Sequence, residues 1–248
     1  EAPLLKCATS MKVLVVISVM MALNLLHGVC VYLTATYMLS IPQGVSFDTA
    51  IDAMGYTLRQ ILGPILAILF LSFQVKAISR LWVDDRFKTT KHTESAHWSK
   101  VLDRCQHQTF EQTVTTVFTS MLIAMVVSDF PESEGGDIRL PIAWGLVFAA
   151  MRPLFTIGYV LDPKGAGRAF GLFIGGFWAN FPAAVYCSLH TLFDIKSFRL
   201  ALRLYIGFAV LMSVVMGVAN VALDKNERSD DIRAGRQEGA DYQSIDAK

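Results

Sequence analysis

Three polar side chains recur at helical spacing just before the chain becomes apolar. Arg104, Gln108 and Glu111 lie at positions i, i+4 and i+7, so a helix places them on one stripe, with His107 alongside. This combination suits a small anionic ligand, because a guanidinium group pairs bidentately with carboxylates. The alternative is a helix end whose charges simply reach water. The residues alone leave both interpretations open.

A second arginine, Arg152, lies in the middle of an apolar run and is followed by Pro153. The proline removes a backbone donor and favours a bend. Phe155 and Tyr159 share the face of Arg152 at i+3 and i+7. A charge inside a membrane segment is costly and needs a partner, and Glu111 lies at a similar depth in the preceding helix. We therefore predict an ion pair between Arg152 and Glu111, which would be structural or part of a site.

The elements that carry these residues are membrane helices. Crossing a hydrocarbon core of ~30 Å takes about 20 helical residues, and apolar runs of that length account for over half of the chain. The composition, 53% hydrophobic, predicts an all-α polytopic membrane protein in contact with the lipid bilayer. The predicted spans are residues 12–37, 59–82, 110–130, 140–161, 168–189 and 201–223.

The distribution of charge predicts the orientation of these spans. Basic residues cluster between the second and third spans and in the C-terminal tail, whereas Ser128–Asp137 is acidic. Since Lys and Arg concentrate on the cytosolic side, both termini are expected in the cytosol. The net charge of +1, without a basic block, gives no indication of a nucleic-acid partner.

The four cysteines have no spacing typical of a metal site or of a disulfide framework. No CxxC or Cys/His pattern occurs, so we expect neither a zinc site nor any other metal site. The cysteines are Cys7, Cys30, Cys105 and Cys187.

Two of these motifs together resemble a known family. Arg104–Glu111 resembles the second-helix signature of the MAPEG superfamily, the membrane-associated proteins in eicosanoid and glutathione metabolism. Arg152, Tyr159 and Arg168 resemble the pattern of its next helix and loop, where arginines and tyrosines surround a cofactor. The resemblance implies a four-helix core over residues 59–189, and homotrimers with ligand sites between subunits. It further implies that glutathione, if bound, is held by Arg104, Gln108, Glu111, Arg152, Tyr159 and Arg168.

Departures from the family pattern argue against strong catalysis. Gln108 stands where the family usually has Asn, Phe155 replaces a tyrosine that contacts glutathione, and Arg168 has a different spacing. An additional helix precedes the core within residues 1–58, and residues 190–223 supply another after it. The N-terminal helix, the turn Pro42–Gly44 and the motif Tyr56-x-Leu58-Arg59 are similar to the mattrin branch, which implies a role in secretory and lysosomal traffic.

The last residues, 224–248, are polar and charged and are expected to form a disordered cytosolic tail. Within this tail, Tyr242–Ile245 fits the pattern of a tyrosine-based sorting signal, so sorting adaptors are candidate partners. Four-residue patterns also arise by chance.

Three functional classes are compatible with the sequence. The first is a mattrin-like protein of internal membranes (endoplasmic reticulum, Golgi, endosome or lysosome) that acts in trafficking or lipid handling without strong catalysis. The second is a glutathione-dependent transferase or peroxidase, for which no residue is clearly placed to activate a thiol. The third, a transporter, is disfavoured because the chain shows no inverted repeat. The residues therefore leave enzymatic activity open and favour its absence.

Overall fold

Helices make up all the regular structure in the part of the chain that can be described. The computed structural model describes residues 2–41, 47–79, 93–130, 136–161, 171, 174–197, 199–215 and 218, and no strand occurs within these ranges. Residues 199–215 form a helix, α6. The preceding helices are α1 (Ala2–Leu33) with a π-helical turn (Thr34–Met38), α2 (Ala50–Ser79), α3 (Thr93–Val127), α4 (Arg139–Leu161) and α5 (Asn180–Phe193). The predicted all-α class is confirmed.

Four of the described helices are long and apolar enough to cross a membrane, so this is a multi-pass membrane protein. Each coincides with one of the first four predicted spans, although α2 and α3 begin well before the predicted residues. Apolarity marks the part of a helix that meets lipid, and a helix can continue beyond it. The four candidate spans are Met21–Met38, Ala50–Ile78, Val101–Val127 and Arg139–Leu161.

The fifth predicted span differs from the structure. Residues 168–189 were predicted as one helix, but residues 175–179 form a turn and α5 begins only at Asn180. Gly176 has a φ of +80°, a left-handed conformation that glycine adopts without steric cost. The single helix is therefore wrong, because apolar composition does not reveal a backbone reversal. The sixth predicted span overlaps α6 but extends outside the described residues, so its crossing of the membrane remains a prediction.

Contacts divide the chain into two units. One unit comprises Glu1–Met21 and Ala209–Lys248. In its described part, the Ser213 hydroxyl donates to the Ala209 carbonyl one turn earlier. The other unit, Ala22–Phe208, contains α2 to α5 and the residues of the candidate site described below.

The core of this second unit lies where α2, α3 and α4 meet. Ile61 of α2 and Ala124 of α3 pack with Phe148 of α4 in one buried cluster. The helices approach closely at Gly145, where an added Cβ would lie 2.8 Å from the Ile61 side chain. Small residues that allow such contact are typical of membrane helix interfaces. In contrast, 65% of Phe70 is exposed, as expected for a surface that meets lipid tails.

The helix that precedes the predicted core packs directly on α4. Val31 and Ala35, at the end of α1 and in the π-helical turn, form a buried cluster with Ala143 and Val147. All four side chains are small or medium-sized, which lets the two backbones come close. The C-terminal part of the added helix, from Ala22, is therefore an integral part of this unit.

Candidate functional site at Arg152

The predicted stripe of Arg104, Gln108 and Glu111 lies mainly on the exposed face of α3. Arg104 and Glu111 are exposed and Gln108 is half-buried. The Glu111 carboxylate pairs with His107 across one helical turn, with Oε1 3.1 Å from Nε2. Arg104, Gln108 and Glu111 therefore share a face as predicted, but the face points away from the interior.

Arg152, by contrast, is one of the most buried large side chains of the described protein, with 1% of its surface exposed. Its Nη1 lies 3.5 Å from the Thr109 hydroxyl on α3, at the long limit of a hydrogen bond. The guanidinium carbon lies 4.3 Å from the ring centroid of Phe155 and 4.8 Å from that of Phe148. The two aromatic faces stabilise the cation by their quadrupoles.

The predicted ion pair between Arg152 and Glu111 is wrong. The prediction placed Glu111 at the same depth in the membrane as Arg152. This depth is correct, because Arg152 contacts Thr109, which is only two residues from Glu111. The prediction was wrong about the position of Glu111 around the axis of α3, because two residues correspond to ~200° around a helix. Thr109 faces the interior, so Glu111 points outward to His107.

One edge of the Arg152 guanidinium lacks a hydrogen-bond partner. Both Nε and Nη2 are buried and have no acceptor among the residues that the structure describes. In Arg139 the same edge binds a carboxylate, because its Nε and Nη2 donate to the Asp137 side chain at 2.8–3.0 Å. The corresponding edge of Arg152 thus has the geometry that receives the two oxygens of a carboxylate or phosphate.

The walls around Arg152 are mostly apolar. Phe155 and Tyr159 of α4 form a buried cluster with Val101 and Cys105 of α3. The Cys105 thiol donates to the Thr156 hydroxyl at 3.6 Å, a sulfur hydrogen bond that joins the same two helices. Hydrocarbon walls around a single cation suit an amphiphile with an anionic head and an apolar chain.

The sequence-predicted ligand residues therefore separate into two groups. Arg152 and Tyr159 lie in the interior, with 1% and 4% exposed, whereas Arg104 and Glu111 lie on the outer face of α3. Arg168 lies outside the described residues. Within one chain, the described candidates do not converge on a single small ligand.

Sequence reasoning missed a relay of polar residues that connects four elements. The Trp144 indole donates to Asn180 Oδ1 at 2.8 Å, and Asn180 Nδ2 donates to the Thr116 hydroxyl at 3.0 Å. The ring of His27 meets the Trp144 ring edge-on at 4.6 Å. His27 Nδ1 donates to the Ile174 carbonyl at 2.7 Å. A histidine and an asparagine inside apolar segments could have indicated this network from the sequence.

A further polar contact lies at the opposite end of α3 from Arg104. The buried His190 ring, near the end of α5, places Nε2 3.0 Å from Asp129 Oδ2, just after α3. This contact joins α5 to α3. Within the described ranges, no group of three or more His, Cys, Asp or Glu side chains could hold a metal ion.

Comparison with known proteins gives one match. The profile of the MAPEG family matches residues 56–189, more than half of the chain. This range begins three residues before the predicted core and ends at the same residue. No curated protein and no solved structure matches the chain.

Proposed function

This chain belongs to the MAPEG family, and on that premise we propose that it binds an anionic amphiphile at Arg152. It would thereby handle lipids in internal membranes, without acting as a strong glutathione enzyme. Its place in secretory or lysosomal membranes, as the resemblance to mattrins implies, is part of this proposal.

One observation carries the proposal: the buried edge of Arg152, whose Nε and Nη2 lack an acceptor among the described residues. An unpaired charge at this depth is costly, and a carboxylate or phosphate from a ligand would neutralise it. Each charge-assisted hydrogen bond that forms contributes about 1.5–3 kcal/mol. The apolar walls would favour a ligand whose anionic group is joined to a hydrocarbon chain.

The same geometry supports the absence of strong catalysis. A glutathione enzyme needs a cation aimed at the sulfur, because the thiolate is the reactive form. The side chain of Phe155 offers no hydroxyl, and the interior Arg152 lies apart from the exposed Arg104. Among the described residues, no cationic side chain lies together with all the other residues that were predicted to bind glutathione.

Glutathione-dependent transfer or reduction is the second candidate function. It is favoured by the exposed Arg104 and Glu111, which a ligand could reach from outside the bundle. In a homotrimer with ligand sites between subunits, as the resemblance implies, a neighbouring subunit could complete that surface. This candidate requires both the trimer and a thiol-activating group from outside the described residues.

The role in trafficking depends on the tail. Tyr242–Ile245 lies outside the described residues, and we propose that it binds sorting adaptors. Tyr242→Ala would then move the protein from internal membranes to the cell surface without a change in abundance. An unchanged distribution of the variant would contradict this part of the proposal.

Two matched ligands test the proposal. Oleate and oleyl alcohol have the same chain and differ in the anionic group, so their binding to purified protein in nanodiscs should differ at least tenfold. Glutathione, measured in parallel, should bind more weakly than oleate, and conjugation of an electrophile should be negligible. Equal binding of the two amphiphiles would contradict the anion site. Rapid conjugation by the wild-type protein would instead establish the enzyme.

A further inference from the structure

Three polar side chains line the buried face of α3, further along the helix than Thr109, which contacts Arg152. Gln112, Thr116 and Ser120 lie at i−4, i and i+4, and all three are buried. Thr116 accepts a hydrogen bond from Asn180. On either side of it, Gln112 Oε1 and Ser120 Oγ are buried and have no partner among the described residues.

Other hydroxyl groups of the same helix do not share this property. Thr109, Thr113 and Thr119 each donate to the carbonyl one turn earlier, at 2.7–2.8 Å. This local hydrogen bond is the usual way in which a membrane helix satisfies a hydroxyl group. The Ser120 hydroxyl is buried without such a bond, so its partner must come from elsewhere.

A third buried polar atom of this kind, and the second hydroxyl, lies on the neighbouring helix. Thr57 of α2 is fully buried, and its Oγ1 has no partner within the described residues. Ala53 and Ile61, one turn before and after Thr57, pack in the same cluster as Ala124, which lies one turn after Ser120. Residues one turn from Thr57 and one turn from Ser120 therefore pack in one buried cluster.

We propose that these residues form a hydrated polar seam, in which water molecules bind Gln112 Oε1, Ser120 Oγ and Thr57 Oγ1. The polar seam consists of Thr57, Gln112, Thr116, Ser120 and Asn180. A buried polar group without a partner costs about 1–3 kcal/mol, so three of them in one region would be expensive if dry. A buried water needs two to four polar partners, and hydroxyl and amide oxygens are groups that serve in this role.

The chemistry of the seam determines what it binds. Its side chains are hydroxyl and amide groups, and none carries a charge. Such groups bind water or another small neutral hydrogen-bonding molecule. The seam is thus distinct in chemistry from Arg152, and the inference does not depend on the proposed function.

Water-edited solid-state NMR on the protein in lipid bilayers tests the seam directly. Magnetisation from water should reach the side-chain carbons of Gln112, Ser120 and Thr57 at least threefold faster than those of Ala53 and Ala124. These alanines are equally buried, each lies one turn from Thr57 or Ser120, and they serve as controls. Transfer to the three polar side chains that is as slow as transfer to the alanines would overturn the inference.

Substitutions give an independent test, because hydrated and dry hydroxyl groups predict Tm changes of opposite sign. If water binds the hydroxyl groups, Ser120→Ala and Thr57→Val remove hydrogen bonds and should lower the Tm by a few degrees. If the hydroxyl groups are dry, the same changes remove a desolvated group and should raise the Tm. Thr113→Val is the control, because its hydroxyl binds its own helix and its loss should change the Tm least. A higher Tm for both seam variants would overturn the inference.

Discussion

Gly171 lies directly against the backbone of Phe155. A Cβ added to Gly171 would stand 2.3 Å from the Phe155 nitrogen and 2.6 Å from its Cα. Gly171 therefore lies against α4 beside the ring that covers Arg152. Only a residue without a side chain permits such a close approach.

Gly171→Ala should therefore destabilise the protein strongly. The clash involves backbone atoms, which cannot move aside as a side chain would, so we expect a loss of about 3 kcal/mol or failure to fold. Thermal unfolding in detergent measures the effect. Gly207→Ala is the matched control, since a Cβ there meets nothing within 4 Å and should be tolerated. Similar Tm values for the two variants would contradict the close approach.

A second glycine gives a test of coupling between residues far apart in sequence. An added Cβ at Gly176 would lie 2.3 Å from the His27 ring, and its φ of +80° is also unfavourable for alanine. Gly176→Ala should lower the Tm. In the double variant with His27→Ala, the clash should be relieved, whereas the unfavourable φ of the alanine should remain. A double-mutant cycle should thus show a favourable coupling on the order of 1–3 kcal/mol. Strict additivity would contradict the contact.

The sequence predicted the helical class, the first four spans and the depth of the arginine on α4, because apolar length and helical spacing are local properties. It did not predict which face of α3 turns inward. Glu111 and Thr109 both fit the depth of Arg152, and only packing against α4 selects Thr109. The turn before Asn180 was missed for a related reason, since the ring of His27 that fits against Gly176 comes from a distant part of the chain.

The relay through Trp144 provides a third prediction. Trp144→Phe keeps an aromatic ring but leaves Asn180 Oδ1 without its donor, so the protein should lose about 1–3 kcal/mol of stability. In an Asn180→Leu background, the same change should cost much less, because the acceptor is already gone. Denaturation of the four proteins in detergent measures both steps. An equal cost of Trp144→Phe in both backgrounds would rule out the hydrogen bond as the cause.

Glu111 offers a fourth prediction that separates the observed and the expected pairing. Its carboxylate is exposed and binds His107, so Glu111→Gln should leave the Tm nearly unchanged, as exposed ion pairs contribute little. If Glu111 were the partner of Arg152, the same change would leave a buried charge and cost about 3–5 kcal/mol. Thermal unfolding distinguishes the two outcomes, and a large loss would contradict the described orientation of α3.

Oleate affinity in nanodiscs, measured for two arginine variants, shows directly whether Arg152 forms the anion site. Arg152→Gln removes the buried cation and should weaken binding at least tenfold, whereas Arg104→Gln removes an exposed one and should leave it unchanged. Oleate should likewise raise the Tm of the wild-type protein and of Arg104→Gln, but not that of Arg152→Gln. Equal affinities of all three proteins, or loss of binding in Arg104→Gln alone, would contradict the assignment of the anion site to Arg152.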